Sequence, residues 1–264
     1  MRRLLIPLFC TLIFCQSCAL LTAAGISSQG QPIKEVPEPL TSLQSTDPKI
    51  DHSPWTALLQ KYVDEQGFVD YKGFKADQEA LQAYLTTLSE NPPTEEWAVQ
   101  ELLAYYINLY NAYTVDLIVK NYPVKSIKDI GGAWTKAIVP VGDRTMSLGG
   151  IENGVLRKMN EPRIHFAINC ASISCPKLQN EAYTAANIDE QLDKAAKEFI
   201  NSNKNDITEE SPKLSKIFKW YEKDYVINGI NSVGAYINRY ATTKINTGAA
   251  LNYIEYDWNL NEQQ

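Results

Sequence analysis

Histidine is nearly absent from this chain. Only His52 and His165 occur in 264 residues, so a side chain that transfers protons near neutral pH must be one of these two. His52 lies in a polar, proline-flanked approach segment, which leaves His165 as the candidate. Cysteine is scarce as well: of five, Cys10, Cys15 and Cys18 belong to the N-terminal leader, and only Cys170 and Cys175 remain. Two cysteines cannot build a multi-disulfide framework. Together with His165 they match no common zinc spacing and no second ligand pair exists, so neither a metal nor a cofactor is expected. Positive charge is also in deficit, with 25 Lys and Arg against 31 Asp and Glu and a net charge of −6. Nucleic acid is therefore not an expected partner. No internal repeat and no second linker interrupt the sequence.

The N-terminus does carry a recognisable pattern. Arg2 and Arg3 form a short basic region, and residues 4–14 are apolar except for Pro7 and Thr11. That run is too short to span a bilayer core of about 30 Å and reads as a signal peptide, residues 1–17. A small residue precedes Cys18, as in a bacterial lipobox, although Cys15 and Gln16 replace the usual leucine and small residue. The expectation is a lipoprotein of the cell envelope, facing the periplasm or the exterior, whose membrane-surface contact is made through acylated Cys18; simple secretion is the alternative. Loss of Arg2 and Arg3 on cleavage moves the net charge from −6 to −8. Residues 18–54 are rich in Ser, Thr, Gln, Pro and Gly without apolar periodicity, and read as a flexible tether. Residues 55–264 form the expected globular domain.

Within that domain, helical spacing predicts helices over 55–63, 78–88, 188–200, 214–221 and 233–240. Thr94 reads as the N-cap of a long helix running to about Asn121, ahead of Pro123. Residues 139–147 predict a hairpin turning at Gly142–Asp143, 148–158 a helix, and 67–71, 163–169 and 252–256 extended segments. The expected fold class is α+β: a mainly helical single domain with a small, mostly antiparallel sheet.

The densest chemistry lies in residues 165–176, HFAINCASISCP, where a histidine, an asparagine, two cysteines and two serines follow an apolar run. In an extended strand His165, Ala167 and Asn169 share one face, and Cys170 lies about 16 Å along on the other. A pairing of His165 with Cys175 requires the intervening loop to double back, which would also present Ser172 or Ser174. Two cysteines five residues apart in an oxidising compartment are expected to be bonded, closing a loop worth about 2 kcal/mol. Glu152 is the candidate carboxylate partner of His165, and Arg157, about 140° away around a helix, makes separate contacts. Asn108 and Asn111 fall about 60° apart on the long apolar helix and must be hydrogen-bonded, either tying loops to it or lining a pocket. The candidate catalytic residues are thus His165, Cys175, Cys170 and Glu152. The candidate binding residues are Asn108, Asn111, Arg157, Asn169 and Ser174.

Six stretches carry a wider resemblance: WTALLQKYVDEQGFVDYKGF, ELLAYYINLYNAYTVDLIVKNYPVKSI, SLGGIENGVLR, RIHFAINCASISCPKL, LSKIFKWYEKDY and YIEYDWNLN. In these the chain resembles the family catalogued as domain of unknown function 547, from about Trp55 to Asn261. The resemblance implies a fold similar to papain-like or transglutaminase-like proteins, and with it acyl-transfer or amide chemistry. Those enzymes place the nucleophilic cysteine at the start of a core helix, ahead of the histidine, whereas here the long helix carries no cysteine. The expectation is an envelope-anchored enzyme-like domain, a hydrolase or acyl transferase using His165 on a small-molecule or peptide substrate. Its nucleophile is Cys175, Cys170, a serine or water. The alternative is a non-catalytic binding or structural module with a loop-closing disulfide.

Overall fold

The computed structural model describes residues 20–43 and 47–264. The leader and Cys18 lie outside the described residues. The domain opens with three helices that cover one side of a fourth. Helix α1, Ser53–Tyr62, has a proline in its first turn, where a missing N–H costs nothing, and buries Trp55, Leu58, Leu59 and Tyr62. Helix α2, Tyr71–Ala76, is capped by Asp70, whose carboxylate accepts from the Gly73 N–H. Helix α3, Gln78–Glu90, buries Leu81, Tyr84, Leu85 and Leu88. Helix α4, Val99–Asn121, is buried on every side from Glu101 to Val119. A helix apolar all round has no solvent face and becomes the axis on which the others pack. Among the described residues no helix is long and apolar enough to cross a membrane.

Helix α4 begins four residues later than the Thr94 cap predicts, with Ala98 in the cap position. The Thr94 carbonyl instead accepts from Trp97 N–H in a turn, and Ala98 is extended at the helix entry. The Thr94 hydroxyl also accepts from Glu96 N–H at 3.4 Å, and a side chain that satisfies the local backbone in a turn competes with helix initiation.

After α4 come the hairpin strands β1, Val139–Val141, and β2, Arg144–Met146, antiparallel with Val139 opposite Met146. Helix α5, Leu148–Gly154, follows, with Ser147 capping Gly150 N–H, and then a 3-10 turn, Leu156–Met159. Residues 163–169 are not a strand: Ile164–Ala167 form a short helix, α6, nucleated at Pro162, whose carbonyl accepts from His165 N–H. All four residues of α6 are buried, and a short apolar run buried on all faces fits helix or strand equally well in sequence. Helix α7 is Ile188–Ile200, β3 is Lys213–Ser215, α8 is Ile217–Trp220, α9 is Glu222–Tyr225, α10 is Val233–Ile237, and β4 is Asn252–Ile254. Strands β3 and β4 pair in parallel, so the sheets are two separate two-stranded pieces, one of each sense. The fold is α+β and mainly helical.

Two buried clusters form. The larger surrounds α4, and the smaller gathers Phe166, Phe199, Phe218, Tyr225 and Tyr236. Helix α6 is the seam: Ile164 and Ala167 enter the larger cluster, Phe166 the smaller. His165 is left at their junction.

The expected tether does not describe residues 20–43 and 47–54. Leu40 and Ile50 join the main core, Val36 N–H bonds Met159 carbonyl at 2.8 Å, and Leu43 N–H bonds Ala185 carbonyl at 2.9 Å. The segment packs through single residues at irregular spacing, so it shows no periodicity in sequence. Three glycines of α5 make room for it. A Cβ on Gly150 would lie 2.6 Å from Thr22 Cγ2, and one on Gly154 would lie 2.7 Å from the Ser27 carbonyl oxygen.

His52, expected in a polar approach, is buried instead. Its Nδ1 is 2.8 Å from the Tyr84 hydroxyl and its Nε2 has no partner. Burial lowers its pKa from 6.5 to about 4. The unfolded chain therefore binds a proton near pH 6.5 that the folded chain refuses until about pH 4. Stability is complete above the upper value and falls as pH drops through the window, by about 2–3 kcal/mol. Urea unfolding at the two ends of this window should show that loss, and His52→Phe should remove most of it; an unchanged pH dependence in the variant would refute the assignment.

Candidate functional site

His165 is 3 % exposed, and its imidazole is held on two sides. Nε2 lies 2.8 Å from Asp224 Oδ2, and the ring stacks on Tyr221 with centroids 4.0 Å apart and planes 21° from parallel. Asp224, on α9, is gripped in turn by Arg157, whose Nε donates to Oδ2 at 2.6 Å and whose Nη2 donates to Oδ1 at 2.8 Å. Burial pushes the Asp224 carboxyl up, but the hydrogen bonds from Arg157 and His165 outweigh it and hold the pKa down at about 2. A carboxylate at Nε2 fixes the neutral ring's proton there and leaves Nδ1 as the acceptor.

Glu152 is not the partner of His165. Its Oε1 accepts a short hydrogen bond from Tyr221 OH, and Tyr110 OH lies 3.5 Å from its Oε2. Glu152 reaches the imidazole only through the Tyr221 ring. The partner the sequence reading missed is Asp224, 59 positions away, inside the KWYEKDY run that contains Tyr221. Arg157 makes contacts separate from those of Glu152, but not through a shared helix: α5 ends at Gly154 and Arg157 lies in the following 3-10 turn.

The loop after α6 doubles back through Ala171, which adopts a left-handed φ of 57°. Ala171 N–H donates to Asn169 Oδ1 at 2.8 Å, and Cys175 N–H donates to Ser172 carbonyl at 3.0 Å. The irregular C-terminal segment after β4 grips the outside of this loop: Ile173 N–H bonds Asn259 carbonyl, and Asp257 N–H bonds Ser174 Oγ at 2.8 Å. The result brings the two sulfurs to 2.7 Å, with Cys170 N–H donating to Cys175 Sγ at 2.8 Å. Both cysteines stand as thiols in this structure.

The two thiols are unlike. Cys170 is half-buried and receives a hydrogen bond from the Cys175 thiol, which draws its pKa below the usual thiol range against the opposing effect of burial. Ser172 Oγ at 3.2 Å and Tyr256 OH at 3.3 Å act in the same direction. Cys175 is 5 % exposed, and burial followed by its hydrogen bond to the Cys170 sulfur pushes its pKa well up. No hydrogen bond joins His165 to either sulfur among the described residues.

His165, Glu152, Cys170 and Cys175 all line one cavity of about 350 Å³. Tyr110, Tyr221, Tyr256, Trp134, Trp220 and Trp258 make its wall largely aromatic, and Ala23 of the N-terminal segment completes the lining. Cys175 also borders a second cavity of about 280 Å³, on the side of Asn169, Lys204 and Glu198. Among the described residues no group of three His, Cys, Asp or Glu side chains is arranged to hold a metal ion.

The asparagines stand behind the cavity. Asn108 exchanges two hydrogen bonds with the Tyr183 backbone, at 2.7 and 3.0 Å. Asn111 donates to the Ala167 carbonyl at 2.9 Å and accepts from Asn169 N–H at 2.8 Å. Asn169 donates to the Pro176 carbonyl at 2.7 Å. Ser174 is occupied by the Asp257 backbone. Of the five candidate binding residues, Arg157 alone reaches the imidazole's carboxylate; the other four set backbone geometry.

Asn111 clamps the end of α6 to the start of the cysteine loop. Asn111→Ala leaves a buried carbonyl and a buried N–H without partners and should cost roughly 2–4 kcal/mol in urea unfolding. A loss below about 1 kcal/mol would show that the clamp is dispensable.

No curated protein and no solved structure matches the chain. Residues 94–200, which carry α4, Glu152, Arg157, His165 and both cysteines, match the model of the family described as protein of unknown function, DUF547.

Proposed function

We propose that the chain is an envelope-anchored enzyme that uses the Cys170 cavity for hydrolysis or acyl transfer. The observation that carries this reading is the environment of Cys170: a half-buried thiol of lowered pKa, facing a cavity, with the Cys175 thiol and the Ser172 and Tyr256 hydroxyls within hydrogen-bonding distance of its sulfur. Such a thiol supplies thiolate without a dedicated base, because the thiolate is the nucleophile and its neighbours stabilise it. His165 supplies the second function. Asp224 orients the ring, and Nδ1 is left to take a proton from the water that releases the acyl group. Cys170 is therefore the nucleophile of this reading, with Cys175 as its hydrogen-bond donor. The largely aromatic wall suits an apolar acyl group or a ring.

The leader supports anchoring at Cys18, and Ala23, five residues on, borders the cavity. In an acylated protein the cavity mouth would sit close to the membrane surface, where substrates attached to lipid or to the envelope are met. Cys18→Ala should release the mature protein into the soluble fraction on cell fractionation; an unmodified native N-terminus downstream of Cys18 by mass spectrometry would remove the anchor.

A second reading is a non-catalytic module. It is favoured by one observation: His165 is held between Asp224 and Tyr221 and bonds neither sulfur.

The two readings part on p-nitrophenyl acetate. The enzyme reading expects an acetyl group on Cys170, absent in Cys170→Ser, with His165→Gln slowing deacylation by roughly 10²-fold while thermal stability stays nearly intact. An unacylated Cys170 together with a grossly destabilised His165→Gln protein would leave only the module.

A further inference from the structure

We infer that Cys170 and Cys175 form a reversible dithiol–disulfide pair oxidised by hydrogen peroxide, with Cys170 as the attacking sulfur and Cys175 as the resolving one. The inference shares Cys170 with the acyl-transfer reading, and it would switch that nucleophile off. Three features carry it.

The first is distance. The sulfurs are 2.7 Å apart, and closing a disulfide at about 2.05 Å requires a contraction of only about 0.7 Å. The second is how the pair is held. Cys170 follows Asn169, whose N–H is fixed by Asn111, and Cys175 precedes Pro176, whose carbonyl is fixed by Asn169 Nδ2. Asn169 thus ties both ends of the six-residue loop, and the left-handed Ala171 turns the chain between them. The approach of the sulfurs is imposed by the fold and does not wait on loop motion. The third is asymmetry of access. Both sulfurs border the 350 Å³ cavity, but Cys170 is half-buried beside Tyr256 and Ser172, whereas Cys175 is 5 % exposed and pressed against the Cys170 amide. A small oxidant in the cavity therefore meets the more exposed Cys170 more readily.

The chemistry balances without any further group. The Cys170 thiolate attacks one peroxide oxygen, the O–O bond breaks, and hydroxide leaves to be protonated to water. Cys170 is then a sulfenic acid. The Cys175 sulfur attacks the Cys170 sulfur, the S–S bond forms, the S–O bond breaks, and the departing hydroxide takes the Cys175 proton as a second water. Two thiols are oxidised to one disulfide, and one peroxide is reduced to two waters. A dithiol reductant reverses the change by exchange through a mixed disulfide.

Both cysteines fall in one proteolytic peptide, residues 164–177, bounded by Arg163 and Lys177. The mature chain, reduced and then treated with hydrogen peroxide, should lose both alkylatable thiols together in that peptide, and dithiothreitol should restore both. Cys175→Ser should halt the reaction at a Cys170 sulfenic acid that dimedone traps, with Cys175→Ala serving if the serine variant does not fold. Cys170→Ser should leave Cys175 unoxidised under the same conditions. Thiols that both remain alkylatable in excess peroxide, or a Cys175 that oxidises without Cys170, would overturn the inference. The readout is thiol chemistry alone, so a chain that forms the disulfide yet never takes an acetyl group would sink the acyl-transfer reading and leave this one standing.

Discussion

One side-chain amide holds the candidate site in register. Asn111 sits in the middle of a helix that is buried on every face, and it spends its donor on the Ala167 carbonyl and its acceptor on the Asn169 N–H. Those two backbone groups flank the point where α6 ends and the cysteine loop begins. An unpaired amide at this depth would cost more than most packing changes, so the clamp is all but obligatory once α4 is in place. Its consequence is positional. His165, on the last turn before the clamp, and Cys170, just after it, are carried by a single rigid corner braced from the core. Asn169 extends the brace to Pro176, and with it to the second cysteine.

Around that corner the charges form a closed arrangement. Arg157 neutralises Asp224, Asp224 orients His165, His165 lies against Tyr221, and Tyr221 donates to Glu152. The two carboxylates are thereby kept apart, one ion-paired and one hydrogen-bonded to phenols. The Arg157 guanidinium also lies over the Tyr221 ring, 5.1 Å from its centroid, so the stacked pair of rings is enclosed between charged groups. The site is polar on its inner wall and aromatic on its outer one, where Trp220 remains 45 % exposed. The N-terminal segment, seated on the glycines of α5, closes one side of the same cavity.

Much of the helical framework was legible in sequence, because α1, α3 and α7 each show one apolar stripe against a polar face and the hairpin carries its turn at Gly142–Asp143. The extended reading of residues 163–169 failed for a definite reason. Ile164, His165, Phe166 and Ala167 are buried on all sides, and a run without a polar face has no period to read. The approach segment escaped notice for the opposite reason: Leu40 and Ile50 reach the core one at a time, separated by polar and proline-rich chain, and composition outvoted them.

The sequence by itself determined which groups are available: a chain with two histidines, only two cysteines beyond residue 18, and a long apolar helix whose two asparagines had to be satisfied somewhere. These follow from composition and from the cost of burying polar atoms, and both are properties of residues taken locally. Only the tertiary structure decided how those groups pair. Asp224 meets His165 across 59 residues, Tyr256 meets Cys170 across 86, and Ser172 takes its place by bridging Leu260. Such contacts depend on how α9 and the C-terminal segment after β4 fold back over the α6 corner. No local period encodes that return, because it is set by the packing of two hydrophobic clusters against one another.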